Sequence, residues 1–279
     1  PISFVQDNGG LTSKASINFV SERKIDLKTF QEKAMLNVCF LWKQQDDYED
    51  SLATFTKNKC YLPETSKKNV LIFGDSHSAH LFGALKASFS EYNFFMITAG
   101  ECNFSNTKIK TRKTCEVIFD LMNKIDLNQF DYLVSGIRIG AEADPGEILS
   151  NIKHVVQKYK GTFLYFGEVP YYGTVTMDNI FLQQFKPVFA LSPTELKHKY
   201  SMLVDVGPFK RQAIVYQFLN QIPRFKYINP LNYFCENDPA KCRHFTQKGV
   251  PILIDETHLS FDASVELIQH LKLSGELVL

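Results

Sequence analysis

The chain has 279 residues, of which 44% are hydrophobic and 13% aromatic, and this composition supports a sizeable buried core. The formal net charge is only +1, so the chain lacks the basic field that nucleic-acid-binding proteins use, and we exclude nucleic acid as a partner. The length fits one enlarged α/β domain or a domain with an extension, and we expect a monomer.

Residues 1–66 precede the first clear strand, and we predict that they form an extension that packs on a main domain at residues 67–279. Within the extension, Leu27–Trp42 has the apolar periodicity of a helix. Residues 43–59 are highly charged, which indicates a solvated face or a loop.

From residue 69 onward, β-favouring apolar runs alternate with segments of helical periodicity, which predicts a mainly parallel sheet covered by helices on both faces. We predict five strands, at Val70–Phe73, Phe94–Thr98, Tyr132–Gly136, Thr162–Phe166 and Phe225–Ile228. Helices are predicted at Ala79–Phe89, Glu147–Tyr159, Pro193–Val204 and Pro208–Gln221. Ligands of such sheets bind outside the carboxyl ends of the strands.

Two short motifs near opposite ends of the main domain supply a serine, a histidine and an aspartate. Ser76, in Gly74-Asp75-Ser76-His77, is predicted to lie where the first strand turns into a helix. A serine hydroxyl needs a base, and His258, with Asp255 three residues earlier to orient it, supplies one. Each motif alone has an ordinary explanation as a turn or a capped loop, but together in this order they favour nucleophilic catalysis.

The six cysteines fall along the chain as three near-neighbour pairs, which we predict to be disulfides, although other pairings are possible. The pairs are Cys39–Cys60, Cys102–Cys115 and Cys235–Cys242. A zinc site is the alternative, but no CxxC or HxxxH spacing supports it, and we expect no metal. Oxidised pairs indicate a compartment outside the cytoplasm. With no apolar run long enough to cross a membrane and no signal peptide, we expect the chain to be a soluble part of a larger protein, with a processed secreted protein as the alternative.

From Asn69 to the C-terminus, the chain resembles the SGNH (GDSL) hydrolases, whose nucleophile and acid–base motifs match those around Ser76 and His258. More narrowly, three details resemble the periplasmic SGNH domain of bacterial membrane acyltransferases of the acyltransferase-3 type. These details are His77 after the serine, the Cys102 segment and the cysteine pair before Asp255. Those proteins O-acetylate surface polysaccharides such as lipopolysaccharide O-antigen. The resemblance implies a three-layer α/β/α flavodoxin-like fold with a five-stranded sheet, in the periplasmic domain of an inner-membrane protein.

The resemblance also implies an oxyanion hole built from the backbone N–H groups of Ser76 and Gly100. The family's next motif carries an asparagine, but this chain has none at that strand end, where Arg138 is the strong side-chain donor. A guanidinium there stabilises an oxyanion or holds an anionic acceptor, unless it is an ordinary exposed arginine. Tyr171 and Tyr172, after the fourth strand, are candidate sugar contacts, with ordinary packing as the alternative.

The predicted function is therefore O-acyl transfer, through an ester on Ser76, to a sugar hydroxyl of a surface polysaccharide or lipid-linked glycan. The resemblance implies no directly bound cofactor and a membrane acyltransferase domain in the same protein that supplies acetyl groups, ultimately from acetyl-CoA. A carbohydrate acetyl-esterase is the alternative within catalysis, because water replaces the acceptor in the same machinery. A non-catalytic glycan-binding module is the alternative from another class.

Overall fold

The computed structural model describes residues 28–42, 46–140, 144–171, 204–248, 250, 252–255 and 257–279. In these ranges six parallel strands form one sheet, in the order β1-β3-β2-β4-β5-β6. The strands are β1 (Phe40–Leu41), β2 (Asn69–Gly74), β3 (Asn93–Ala99), β4 (Tyr132–Ser135), β5 (Thr162–Phe166) and β6 (Phe225–Ile228). The predicted α/β fold with a parallel sheet is confirmed, but the sheet has six strands and not five.

Eight α-helices connect and follow these strands in the described ranges. They are α1 (Tyr48–Lys57), α2 (Ser76–Ser88), α3 (Asn106–Thr111), α4 (Lys113–Lys124), α5 (Pro145–Val156), α6 (Gly207–Leu219), α7 (Pro230–Cys235) and α8 (Phe261–Leu273). Short 3₁₀ helices span Leu127–Gln129 and Pro239–Lys241, and residues 28–33 are also helical. The helix that we predicted at Pro193–Val204 lies outside the described residues except for its last position.

The strand order reverses around β2, and this reversal places the candidate site. The chain passes from β2 to its neighbour β3 and then returns across β2 to β4. Because such crossovers are right-handed, the reversal puts the two connecting sets of helices on opposite faces of the sheet. It also leaves a crevice outside the carboxyl ends of β2 and β4, which is where parallel sheets of this kind bind ligands.

The extra strand β1 lies in the segment for which we predicted one long helix. Residues 28–33 are helical, but Met35 and Asn37 take positive φ angles of 53° and 61°, which a right-handed helix does not allow. Beyond this break, β1 pairs in parallel with the end of β3. The predicted helix is therefore wrong after residue 33. The domain boundary at residue 66 stays a prediction, although β1, which precedes it, belongs to the sheet.

The charged residues 43–59 contain a helix, α1, which buries Phe55 and exposes most of its charged side chains. The prediction of a solvated face thus holds for one side of a helix.

Three disulfides join the predicted cysteine pairs, Cys39–Cys60, Cys102–Cys115 and Cys235–Cys242. The first closes the segment that carries β1, and the second closes the segment that follows β3. Where the structure describes the chain, no helix is long and apolar enough to cross a membrane, and no cluster of three or more His, Cys, Asp or Glu side chains is arranged to hold a metal ion.

Candidate active site

Ser76 is the first residue of α2 and lies directly beyond the carboxyl end of β2. The strand ends at Gly74, whose φ of +125° is one that side-chain-bearing residues rarely adopt. A Cβ atom there would lie 2.4 Å from the Ile137 side chain, so the close approach also requires glycine. Asp75 then caps the helix: its Oδ1 accepts the N–H groups of His77 at 2.9 Å and Ser78 at 3.4 Å. The turn thereby fixes the direction of the Ser76 side chain.

The structure brings Ser76, His258 and Asp255 into one hydrogen-bonded chain. Ser76 Oγ lies 2.7 Å from His258 Nε2, and His258 Nδ1 lies 2.7 Å from Asp255 Oδ2. Because an ionised carboxylate can only accept, Nδ1 carries the proton and Nε2 is left to accept from the Ser76 hydroxyl. This is the arrangement in which a histidine removes a proton from a serine nucleophile.

The Asp255 carboxylate is held ionised by its surroundings. Partial burial acts to raise its pKa, but the hydrogen bond and charge of His258 and the backbone N–H groups of Thr257 and His258 outweigh this and lower the pKa well below its usual range. Both N–H groups donate to Asp255 Oδ1 at 2.8 Å. One carboxylate oxygen therefore shapes the loop while the other orients the imidazole.

Gly100 is not available as an oxyanion donor, which corrects our prediction. Its N–H donates to the carbonyl oxygen of Leu41 in β1 at 2.8 Å. The Trp42 ring also covers this position, because a Cβ atom at Gly100 would lie 2.6 Å from it. By contrast, the N–H of Ser76 has no hydrogen-bond partner within the described ranges and lies at the positive end of α2.

Arg138 lies just beyond β4, across the crevice from the turn that carries Ser76. Its backbone N–H donates to Asp75 Oδ2 at 2.9 Å, which ties the two strand ends together. Its guanidinium lies over the Tyr171 ring, 5.0 Å from the ring centroid, and pairs with no carboxylate in the part of the chain that the structure describes. The structure thus brings Arg138 and Tyr171 together at the rim, while Tyr172 lies outside the described residues.

Two contacts to His258 are ones that the motifs did not indicate. The ring of His77 stacks on it, with centroids 4.5 Å apart, and the ring of Phe30 approaches within 5.7 Å at a tilt of 58°. The adjacency of His77 to Ser76 was a visible signal, although the motif does not indicate a contact between His77 and His258. Nothing in the local sequence around Phe30 indicates that it reaches the site.

A cavity opens beside this cluster, between α2 and the carboxyl ends of β4, β5 and β6. Its walls include His77, His80, Arg138 and Glu168 together with apolar side chains. The Glu168 carboxylate is paired with Arg211, which donates two hydrogen bonds of 2.7 Å to it. The other polar side chains of the cavity wall are Arg138 and the two histidines, and none of them forms such a pair of hydrogen bonds within the described ranges.

Residues 43–272 match the model of the SGNH domain that is fused to AT3 domains. The chain belongs to this family. The SGNH domain is also similar in structure to the periplasmic domain of a lipopolysaccharide acetyltransferase from Salmonella ser. Paratyphi A, with a TM-score of 0.63 and 17% identity over 90% of this chain and 96% of that one. At that identity the likeness shows a shared fold.

A second structure similar to the SGNH domain is that of a putative platelet activating factor from Streptococcus pneumonia. Its TM-score is 0.47 and its identity 13%, over 81% of this chain and 92% of that one. No curated protein matches the sequence of this chain.

Proposed function

We propose that this SGNH domain transfers an acyl group, most simply acetyl, through an ester on Ser76 to a sugar hydroxyl of a bacterial surface polysaccharide such as lipopolysaccharide O-antigen. The observation that carries the proposal is the continuous hydrogen-bonded chain from Ser76 through His258 to Asp255. Membership of a family of SGNH domains fused to AT3 domains supports acyl transfer as the use of that chain.

The first half of the reaction loads the serine. His258 Nε2 takes the hydroxyl proton while Ser76 Oγ bonds to the acyl carbonyl carbon, and Asp255 stabilises the imidazolium. The tetrahedral intermediate then collapses, the bond to the donor's leaving group breaks, and His258 returns the proton to that group. The products are acyl-Ser76 and the protonated leaving group.

The second half passes the acyl group on. His258 takes the proton of the acceptor hydroxyl, and the acceptor oxygen attacks the ester carbonyl. The bond to Ser76 Oγ then breaks and the serine regains its proton. If water attacks instead, acetate is released and the domain acts as an esterase. The difference between the two outcomes lies in how the acceptor is held and water excluded.

The negative charge that develops on the carbonyl oxygen needs donors. The N–H of Ser76 supplies one at the start of α2, and the Arg138 guanidinium supplies the second in place of the family's asparagine. The Tyr171 ring packs against the Arg138 guanidinium, and the proposal places the acceptor sugar at this same rim of the site.

Acetyl groups originate, in this proposal, from cytoplasmic acetyl-CoA and reach Ser76 through a membrane acyltransferase domain of the same protein. The SGNH domain would then act as a monomer on the periplasmic side of the inner membrane and bind no cofactor itself. The three disulfides suit such an oxidising compartment.

The proposal is tested by incubating wild type and Ser76→Ala with a small chromogenic acetyl ester and candidate surface oligosaccharides, while free acetate and acetylated sugar are followed by mass spectrometry. We expect acetylated sugar with wild type only. Acetate without acetylated sugar indicates an esterase. If glycan binds but neither product forms, even when the membrane domain is present, the catalytic proposal is wrong.

A further inference from the structure

His258 is in contact with two other histidines, neither of which has a part in the mechanism above. The His77 ring stacks on the His258 ring, with centroids 4.5 Å apart and planes 26° apart. His80, one turn further along α2, meets the His258 ring edge-on, at 6.4 Å and 89°. Within the described residues, His77 is therefore the ring that stacks in a near-parallel arrangement on the base.

Both additional histidines are buried, with exposed fractions of 8% for His77 and 6% for His80. Within the described ranges, neither ring nitrogen of His77 has a hydrogen-bond partner. The Asp75 Oδ2 atom lies 3.6 Å from His77 Nδ1 and already accepts the Arg138 N–H. An unpaired buried polar group costs free energy, so what the His77 ring contributes here is its face and not a hydrogen bond.

Both rings are neutral at pH 7, because burial lowers the pKa of His77 and lowers that of His80 much further. The charged or titratable groups near His258 are Asp255 on its own loop and His77 and His80 on α2, with Asp75 and Arg138 acting on His77. A neutral aromatic ring in this setting attracts a cation placed over its face, since its π electrons lie above and below the ring plane.

We propose that His77 is a positioning residue whose neutral ring face holds the His258 imidazole in plane and stabilises the imidazolium that forms when His258 takes the Ser76 proton. The stacked geometry is already present before reaction, so no reorganisation is needed when the charge appears. This inference rests on the serine mechanism proposed above and adds to it a residue that touches neither the acyl group nor the acceptor.

The test compares His77→Phe, which keeps an aromatic face, with His77→Leu, which fills similar space without one. The readout is the rate constant for covalent labelling of Ser76 by a fluorophosphonate, because that step needs the activated serine but no acyl donor or acceptor. We expect His77→Phe to label within about twofold of wild type and His77→Leu to label about five- to thirtyfold more slowly, as loss of a desolvated cation–π contact implies. His77→Met serves in the same comparison if the Leu variant does not fold.

Phe82→Leu is the matched control, because it removes a buried aromatic side chain from the same helix, and the Phe82 ring makes no contact with His258 within the described ranges. We expect it to label at close to the wild-type rate. Equal rates for the Leu and Phe variants at His77 overturn the proposal, and so does an equal loss in Phe82→Leu. Wild type that is not labelled at Ser76 at all overturns the serine mechanism itself, so the two failures are distinguishable.

Discussion

Asp255 uses its two oxygens for two purposes. Oδ2 accepts from the His258 ring, while Oδ1 accepts the backbone N–H groups of Thr257 and His258. The carboxylate therefore fixes both the path of the loop and the tautomer of the base. Replacing Asp255 by asparagine keeps the shape of the side chain but changes one acceptor oxygen into a donor nitrogen. It therefore separates the effect on the loop path from the effect on the tautomer of His258.

Asp255→Asn is expected to lower kcat for acyl transfer by about 10³- to 10⁴-fold, because an amide nitrogen facing Nδ1 selects the wrong imidazole tautomer. The measurement is kcat on the chromogenic acetyl ester, with folding checked by near-UV circular dichroism. Asp262→Asn, in the first turn of α8, is the control and should retain activity. A loss of less than tenfold in Asp255→Asn would contradict the assigned role.

Arg138→Ala tests the second oxyanion donor. Removing one donor from an oxyanion hole typically costs about 10²- to 10³-fold in kcat, and we expect a loss of that size with little change in KM. Arg138→Lys should recover only part of it, since an ammonium lacks the planar fork of donors. If instead KM for the acceptor rises while kcat is kept, Arg138 binds the acceptor and does not hold the oxyanion.

At the scale of elements, the site depends on the sharp turn between β2 and α2. Gly74 combines a positive φ with a close approach to Ile137, so any side chain both strains the backbone and displaces Ile137, which lies just beyond β4. Gly275 also has a positive φ, of 75°, but a Cβ atom there would meet nothing within 4 Å. Comparing an alanine substitution at each of the two glycines therefore distinguishes the cost of backbone strain from the cost of steric overlap.

Gly74→Ala is expected to lower the free energy of unfolding by about 2–4 kcal/mol, from strain and overpacking together. Gly275→Ala should lower it by about 1 kcal/mol, from strain alone. Urea unfolding of both variants and wild type measures the difference. Similar values for the two variants would show that the contact with Ile137 is easily relieved.

Five strands were predictable because each is a short apolar run bounded by turn residues, and β5 and β6 match the predicted bounds. Strand β1 was not predictable from the sequence. Its residues, Phe40–Leu41, lie within an apolar pattern of helical period, and the strand forms by pairing with β3. That omission also explains the error at Gly100. Its N–H looked available because the strand whose Leu41 carbonyl accepts it had not been recognised.

The residues of the Ser76–His258–Asp255 chain were found from their motifs, because both motifs carry chemistry in a few adjacent positions. The contacts of His77 and Phe30 with His258 could not be found from the motifs, since each contact depends on how elements distant in sequence pack together. Sequence spacing places His77 beside Ser76 but does not give the direction of its ring.

At the scale of the whole molecule, buried and half-buried histidines connect stability to pH. Burial lowers the pKa of His77 and His80, and it lowers that of His244 to about 4. The His244 carbonyl accepts the N–H of Ile252 at 2.9 Å, at the start of the loop that carries Asp255 and His258. Protonation of His244 should therefore loosen the site as well as the fold.

The sign of the pH dependence follows from these pKa values. An unfolded histidine has a pKa near 6.5, so between pH 6.5 and about 4 the unfolded chain binds a proton at His244 that the folded chain does not. The stabilisation is complete above pH 6.5 and is lost as the pH falls towards 4. The difference of about 2.5 pKa units corresponds to about 3 kcal/mol at His244.

Urea unfolding of wild type and His244→Gln at a series of pH values between 7 and 4 isolates this contribution. Carboxylates titrate in both proteins, so the comparison of the two pH slopes cancels their effect. We expect the free energy of unfolding of wild type to fall by about 3 kcal/mol more than that of His244→Gln over this interval, because glutamine takes up no proton. Parallel slopes would mean that His244 is solvated well enough to be protonated in the folded state, and the pH sensitivity of the fold would then rest on His77 and His80 next to the base.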